Sequence, residues 1–326
     1  MKDIFKKFEK LNILIIGDVM IDAYLWGKVD RISPEAPVPI LSVTKRENRL
    51  GGAANVALNI QAMGANPIIC SVIGNDSHSS TFVQLLNEQN ISTEGIVKSE
   101  DRITTMKTRL LGHHQQMLRV DSEITHEISH DETDALLNRI QLLLKTHSID
   151  AIIFEDYDKG VITVKLIEAV VELAKAANIP TIVDPKKRNF LHYKNVTLFK
   201  PNLKELKEGL KIDFDVRNNE QLKNAIEHLK EKLGAEMVMV TLSELGIYIN
   251  AQNEKVLIPA HIRDISDVSG AGDTVVSVAA LGLAAGLNPT RFTALANLAG
   301  GLVCEKVGVV PVDKDQLLEE AKKNKI

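Results

Sequence analysis

Asp267-Val268-Ser269-Gly270-Ala271-Gly272-Asp273-Thr274 is the stretch on which the reading of this chain turns, and it leads straight into an Ala-rich helical segment, Thr274–Ala285. Gly270, Ala271 and Gly272 let backbone N–H groups converge at a helix N-terminus, where the helix dipole favours anionic oxygens. An aspartate at that spot, Asp273, is suited to take a proton from a hydroxyl that attacks phosphorus. The same residues also suit a plain turn in which Asp273 only caps the helix. Alone, the stretch leaves both readings open. No G-x-x-x-x-G-K-[ST] sequence occurs, so a Walker-type nucleotide site is excluded.

Working outward, short apolar runs alternate with helical stretches, the pattern of a parallel sheet covered by helices. The runs are Leu11–Ile16, Pro67–Ile73, Ala151–Phe154, Thr181–Val183, Val196–Phe199 and Met237–Val240. Helices are expected over about Ala53–Met63, Thr133–Leu144, Val164–Ala177, Arg291–Val303 and the charged tail Lys314–Ile326. The fold class is therefore α/β with a mostly parallel central sheet in three layers. Two segments break the rhythm. Residues 18–50 contain Pro34, Pro37 and Pro39, which rule out helix there and disfavour a central strand. Residues 103–121 alternate loosely in Thr, Leu and Val. Together they read as a small β-flap, or lid, projecting from the main sheet.

Composition sets the bounds. The chain has 326 residues, within reach of one large α/β unit, and a formal charge of −4 gives no basic field for nucleic acid or anionic lipid. Aromatics make up only 4%, so Ile, Leu, Val and Ala must build the core. Two cysteines, Cys70 and Cys304, exclude a disulfide scaffold or Cys-rich zinc site and suit a cytoplasmic protein. No run approaches the ~20 apolar residues of a membrane helix.

Three further turns carry candidate chemistry. Gly51-Gly52-Ala53-Ala54-Asn55 opens a helix where missing Cβ atoms let a ligand approach, and Asn55 could bond sugar hydroxyls; a tight turn into a packed helix is the plainer alternative. Asn202 and Glu205, in Lys200-Pro201-Asn202-Leu203-Lys204-Glu205, follow an apolar run, and strand ends are where open α/β sheets bind ligands. They could face hydrated Mg²⁺, or form a capping box. Thr241, Ser243 and Gly246 place hydroxyls and a glycine at another strand end, suited to a nucleotide or to a turn. One match is set aside. His126-Glu127-Ile128-Ser129-His130 fits H-E-x-x-H, but Ser129 and Asp131 look like helix-start signals, so the two histidines would not share a helix face. His113 and His114, adjacent in an extended stretch, would point to opposite faces and make a poor metal pair.

The Gly-Gly-…-Asn opening, the Pro-Asn-x-x-Glu turn and the Asp-Val-Ser-Gly-Ala-Gly-Asp ending occur in that order and at compatible spacing. Together they resemble the ribokinase-like (phosphofructokinase B-type) sugar kinases from Ile13 to about Val310. A narrower likeness rests on Gly17-Asp18-Val19-Met20-Ile21-Asp22, Arg31-Ile32-Ser33-Pro34-Glu35-Ala36-Pro37-Val38-Pro39, Gln115-Gln116-Met117-Leu118-Arg119-Val120-Asp121, Asp156-Tyr157-Asp158-Lys159-Gly160 and Asp184-Pro185-Lys186. These resemble the heptose kinases of ADP-heptose synthesis, which phosphorylate the anomeric hydroxyl of D-glycero-β-D-manno-heptose 7-phosphate with ATP. Two departures stand near the expected substrate grip: Lys187 replaces the usual Gly after Asp-Pro-Lys, and His113-His114 replace an Arg-Asn before the Gln pair.

The resemblance implies an ATP-dependent kinase with Asp273 as base and an anion hole at Gly270, Ala271 and Gly272. It implies Mg²⁺ organised through water by Asn202 and Glu205, and nucleotide contacts from Asn202, Glu205, Thr241, Ser243, Gly246, Asp267 and Asn297. Asp18, Gly51, Gly52, Asn55 and Asp184 would grip the sugar, with Arg119, Lys186 and Arg109 as candidates for its phosphate. A flap with open strand edges would pair two subunits into a homodimer. The expected organisation is one kinase domain with lid segments, without the nucleotidyltransferase domain or H-x-G-H signature of some relatives. Alternatives kept open are a kinase for another sugar, such as fructose phosphate or ribose, and a non-catalytic sugar-phosphate sensor.

Overall fold

Short apolar segments that bury both faces become the strands of a central sheet. A computed structural model describes residues 1–112 and 115–326, so the expectation for His113 and His114 lies outside the described residues. The strands are β1 (Asn12–Gly17), β2 (Val19–Ile32), β3 (Pro39–Gly52), β4 (Asn66–Gly74), β5 (Ile96–Ser99), β6 (Met106–Gly112), β7 (Gln115–Ser122), β8 (Ala151–Glu155), β9 (Thr181–Asp184), β10 (Leu198–Phe199), β11 (Met237–Thr241), β12 (Ile247–Asn250) and β13 (Lys255–Ile258). Among the described residues nine of them form one sheet in the order β13-β12-β11-β10-β9-β8-β1-β4-β5. It is parallel except at β12 and β13, which add an antiparallel edge.

Alternate side chains of each strand enter opposite cores, as the two-residue period of a strand requires. Ile13 and Ile15 pack on one side with Ile153, Ile182 and the helices Ala53–Ala62, Ala271–Ala284 and Pro289–Cys304. Leu14 and Ile16 pack on the other with Phe154, Val183 and the helices His130–Thr146, Val164–Ala176 and Asn219–Leu233. That is the expected three-layer α/β sandwich. The run Val196–Phe199 is shorter than expected: only Leu198–Phe199 pairs.

The flap is a separate sheet in the order β3-β2-β6-β7. β2 and β3 are long antiparallel partners, and bulges at Trp26/Gly27 and Val29/Arg31 break their register. The Pro-rich segment forms the turn between them, with Pro39 at the first residue of β3, where a missing N–H is tolerated. Helix His130–Thr146 starts at a full capping box of Ser129 and Glu132. His126 therefore precedes the helix and does not share a face with His130.

Candidate active site

The flap's inner face and the C-terminal ends of the central strands enclose a cavity of about 280 Å³. At its floor, Asp273 is the third residue of helix Ala271–Ala284, after Gly270 at φ 79°, a left-handed conformation suited to glycine. The Asp273 carboxylate accepts two side-chain hydrogen bonds: Oδ2 from Asn55 Nδ2 at 2.6 Å and Oδ1 from the Tyr157 hydroxyl at 2.8 Å. Burial pushes this carboxyl up, Asn55 draws it down, the charge of Asp184 raises it and Tyr157 lowers it, leaving it at about 6. Among the described residues Asn55 Oδ1 is buried without a partner, an acceptor beside the cavity. Gly51, Gly52, Ser269 and Gly270 complete this end. A Cβ on Gly51 would stand 2.4 Å from Asp22 Oδ2 and would push that carboxylate aside.

Four cations also line the cavity. Lys107 and Arg109 share one face of β6 because they stand two residues apart, and Arg119 lies opposite Arg109 on β7. Lys159 reaches in from the loop after β8. Each has an acidic partner: Arg109 holds Asp22 at 2.5 Å, Lys107 and Lys159 share Glu123 at 3.0 and 2.8 Å, and Arg119 clasps Asp121. Such a cluster is organised to meet an anion while remaining partly neutralised.

Asp18 stands apart from the cavity. It is 1% exposed and does not line the cavity. Its Oδ2 accepts the backbone N–H groups of Tyr157 and Lys159, and its Oδ1 accepts that of Val161. It shapes the 157–161 loop, and the acid that faces the cavity is Asp22. Lys186 also stands apart from it: it bonds Glu205 Oε1 at 2.8 Å, lies 3.8 Å from Asp184 Oδ1 and sits over the Tyr157 ring.

Asp184, at the end of β9, faces Lys200 Nζ at 2.8 Å. Asn202 and Glu205 form a reciprocal capping box, Asn202 Oδ1 accepting from Glu205 N–H and Glu205 Oε2 from Asn202 N–H, both at 2.8 Å. Thr241 bridges to Asn202, and the turn through Ser243 (φ 52°) and Gly246 (φ 95°) joins β11 to β12. A Cβ on Gly246 would strike Ile258 O at 2.0 Å, so this glycine is required by the turn itself. Asp267 accepts the backbone N–H groups of Ser269 and Gly308, which pins the glycine turn; burial pushes its carboxyl up, but these amides outweigh that and hold it low. Asn297 donates to Pro259 O. The structure thus unites Gly51, Gly52, Asn55, Arg109, Arg119, Gly270 and Asp273 in one cavity. Asp184, Lys186, Asn202 and Glu205 form a second group beyond Tyr157.

The sequence reading missed Asp22, Lys107, Tyr157, Lys159, Lys200 and Glu155 as site residues. Strand alternation carried a signal for one of them: Lys107 lies two residues before Arg109 on β6. Glu155 ends an apolar run, as polar residues at strand ends commonly do.

The sequence pattern described as pfkB family carbohydrate kinase matches residues 10–315. The chain is 40% identical over 311 residues to a protein named bifunctional protein HldE of Desulfatibacillum aliphaticivorans, covering 95% of this chain and 63% of that protein. The HldE of Helicobacter pylori G27 is 39% identical over 297 residues, covering 91% of this chain and 63% of that protein. The chain thus spans a little under two thirds of the length of these curated relatives. Among solved structures, phosphofructokinase-2 of Escherichia coli superposes with a TM-score of 0.80 at 18% identity, over 97% of this chain and 99% of that one. Arabidopsis thaliana ribokinase superposes with a TM-score of 0.72 at 17% identity, over 95% and 98%. At those identities the superpositions establish the ribokinase-like fold alone. The sequence match over nearly the whole length decides the family: the chain belongs to the pfkB family of carbohydrate kinases.

Proposed function

We propose that this ATP-dependent carbohydrate kinase phosphorylates the anomeric hydroxyl of D-glycero-β-D-manno-heptose 7-phosphate, giving the 1,7-bisphosphate used to build ADP-heptose for the lipopolysaccharide core. The observation that carries the reading is a single cavity lined by Asp273 and by Lys107, Arg109, Arg119 and Lys159. That lining suits a sugar that carries both a reacting hydroxyl and an existing phosphate. The likeness of the Ser33–Pro39 string to heptose kinases supports the choice of sugar, as does the name shared by the relatives.

In this reading the acceptor hydroxyl replaces one of the two donors on Asp273 and gives up its proton to that carboxylate. The hydroxyl oxygen bonds to the γ-phosphorus, the bond to the β,γ-bridging oxygen breaks, and ADP leaves. The N–H groups at Gly270, Gly272 and Asp273 meet the charge on the migrating phosphoryl, while that of Ala271 donates to Val268 O at 3.3 Å and would have to exchange it to join them. Asn55 keeps the carboxylate oriented and offers its free Oδ1 to a sugar hydroxyl. The oxygens of Asn202 and Glu205 are already engaged by the capping box and Lys186, so these residues would hold Mg²⁺ through water. Mg²⁺ bound with ATP neutralises phosphate oxygens. Thr241, Ser243, Gly246, Asp267 and Asn297 belong to the nucleotide side of the site, mostly through the turns they shape.

The flap closes over the sugar and keeps water from the γ-phosphoryl. Leu118 and Val120 on β7 are 56% and 48% exposed, apolar surface that supports a homodimer built through the flap. No helix among the described residues is long and apolar enough to cross a membrane, and a cytoplasmic site of action accompanies the proposal because ATP is the donor. The test is ADP release over a panel of heptose 7-phosphate, fructose 6-phosphate, fructose and ribose, with ³¹P NMR of the product. Fast turnover of the heptose with phosphate on the anomeric carbon is the expected result. Turnover of another sugar alone rejects the heptose assignment, and ligand-induced stabilisation without turnover of any sugar supports a sensor.

A further inference from the structure

A general base takes a proton only from a group within about 2.6–3.2 Å of it. On Asp273 that place is already taken twice. Asn55 Nδ2 donates to Oδ2 at 2.6 Å, and the Tyr157 hydroxyl donates to Oδ1 at 2.8 Å. Glu155 and Asp184 crowd the same carboxylate, each with an oxygen within 4.8 Å of one of its own. A hydroxyl that is to be deprotonated must therefore take over from one of the two donors.

The donors differ in how readily they give way. Asn55 is 1% exposed, stands in the first turn of helix Ala53–Ala62, and has its backbone oxygen held by Asn59 Nδ2. The Gly270 turn closes over its amide, since a Cβ on Gly270 would stand 3.2 Å from Asn55 Nδ2. Tyr157 instead stands on the loop after β8 and lines the cavity. Asp18 Oδ2 fixes its backbone N–H, so the side chain can turn while the loop stays in place. Lys186 Nζ lies over its ring, 5.5 Å from the centroid, and carries on to Glu205. The hydroxyl thus stands at the seam between the sugar cavity and the nucleotide side, where an acceptor oxygen and a γ-phosphoryl have to meet. Burial and the charges of Asp273, Glu155 and Asp184 hold this phenol well above its ordinary range, so it keeps its proton and stays a donor.

We propose that Tyr157 guards the base: its hydroxyl holds Oδ1 of Asp273 until a sugar hydroxyl replaces it, and so denies that oxygen to water. The proposal rests on Asp273 being the proton acceptor and holds whichever sugar is accepted. Water bound at Oδ1 would start the wrong reaction. Its oxygen would bond to the γ-phosphorus, the bond to the β,γ-bridging oxygen would break, and its proton would pass to Asp273, leaving ADP and phosphate. The flap excludes water once a sugar is in place, and the tyrosine covers the interval before. Tyr157 is in this sense a specificity residue that decides between two acceptors, sugar and water.

The test needs no sugar. ATP hydrolysis by the purified protein is followed as ADP release with Mg²⁺ present and every sugar left out. Tyr157→Phe keeps the ring under Lys186 and removes only the hydroxyl. Its hydrolysis is expected to rise about fivefold or more over wild type, the factor that one lost competing hydrogen bond allows. Damage to the loop alone would slow the site rather than speed it. In Tyr157→Phe/Asp273→Asn the added hydrolysis should vanish. Hydrolysis by Tyr157→Phe at or below the wild-type rate, or a gain that survives Asp273→Asn, overturns the proposal. Should Tyr157→Phe fail to fold, infrared difference spectra of wild-type protein carrying ring-¹³C tyrosine decide, taken on adding the sugar that the panel above shows to be turned over. A shifted tyrosine C–O band supports displacement of the hydroxyl, and an unchanged band overturns it. Sugar-dependent turnover by Asp273→Asn alone is read separately. Its persistence refutes the base reading, whereas its loss beside unraised hydrolysis in Tyr157→Phe refutes the guard only.

Discussion

Replacing Asp18 by Asn separates two roles that a buried acid next to a sugar cavity can have. Three backbone N–H groups, from Tyr157, Lys159 and Val161, converge on its two oxygens at 2.9, 3.1 and 3.0 Å. An asparagine has one oxygen for them. With that oxygen toward Tyr157 and Lys159, the Val161 amide loses its acceptor and meets an NH₂ donor instead. The opposite orientation strands two amides. Each stranded buried amide costs roughly 1–3 kcal/mol, and the opposed donors add to this. Part is returned, because burial holds the Asp18 carboxyl above its ordinary range and the neutral side chain escapes that desolvation. The net loss is about 2–4 kcal/mol.

The assay pairs urea unfolding with steady-state kinetics. A lower unfolding midpoint is expected, together with a fall in kcat, since the loop that carries Tyr157 to Asp273 has lost its anchor. Asp22→Asn is the contrast, as Asp22 lines the cavity and pairs with Arg109: KM for the sugar should rise, while the 157–161 loop keeps its anchor on Asp18. An Asp18→Asn protein with the wild-type midpoint and only a raised KM would refute the reasoning and return Asp18 to the substrate.

Other perturbations probe the remaining parts of the site. Asp273→Asn should fold normally and lose at least about two orders of magnitude in kcat, the usual scale for removing a general base, as read by ADP release. Lys159→Met should raise KM for a phosphorylated sugar about tenfold or more while leaving KM for ATP unchanged, since one charge-assisted bond is worth roughly 1.5–3 kcal/mol. Leu118→Asp in the flap should shift a dimer toward monomer in analytical ultracentrifugation. Asp76 caps helix Ser77–Glu88 and accepts the Thr104 amide; burial raises its carboxyl, but these bonds outweigh that and leave it below its ordinary 3.8. Its contribution is therefore present above the unfolded pKa and lost as pH falls through the folded one, and Asp76→Asn should flatten this acid limb in thermal melts between pH 5 and about 2.

The central sheet was legible because its strands are short, apolar and buried on both faces, so each stood out between amphipathic helices. β12 and β13 were not, since Lys255–Ile258 is an exposed four-residue edge whose pairing depends on the turn at Gly246. The flap was legible in outline from its prolines and alternation. Its functional face was not, because the cations that line the cavity come from β6, β7 and the loop after β8, and no local motif joins them. Glycine-bounded motifs marked two turns that meet in this cavity, since the positive φ of Gly52 and Gly270 favours glycine there. They could not say which nearby acid faces the ligand.

That last ambiguity has a physical solution in what fills each carboxylate. Asp18 and Asp267 are satisfied by backbone amides, and both shape loops. Asp156 accepts the amide of Asp158 and the hydroxyl of Tyr193, and shapes the same loop from below. Asp22, Asp184 and Asp273 are instead held by side chains, which can exchange partners when a ligand arrives. Backbone amides cannot be traded without moving the chain, so an acid saturated by them is part of the frame. Among the described residues Glu155 has neither kind of partner, and burial, with the charges of Asp184 and Asp273, pushes its carboxyl well above the usual carboxylate range.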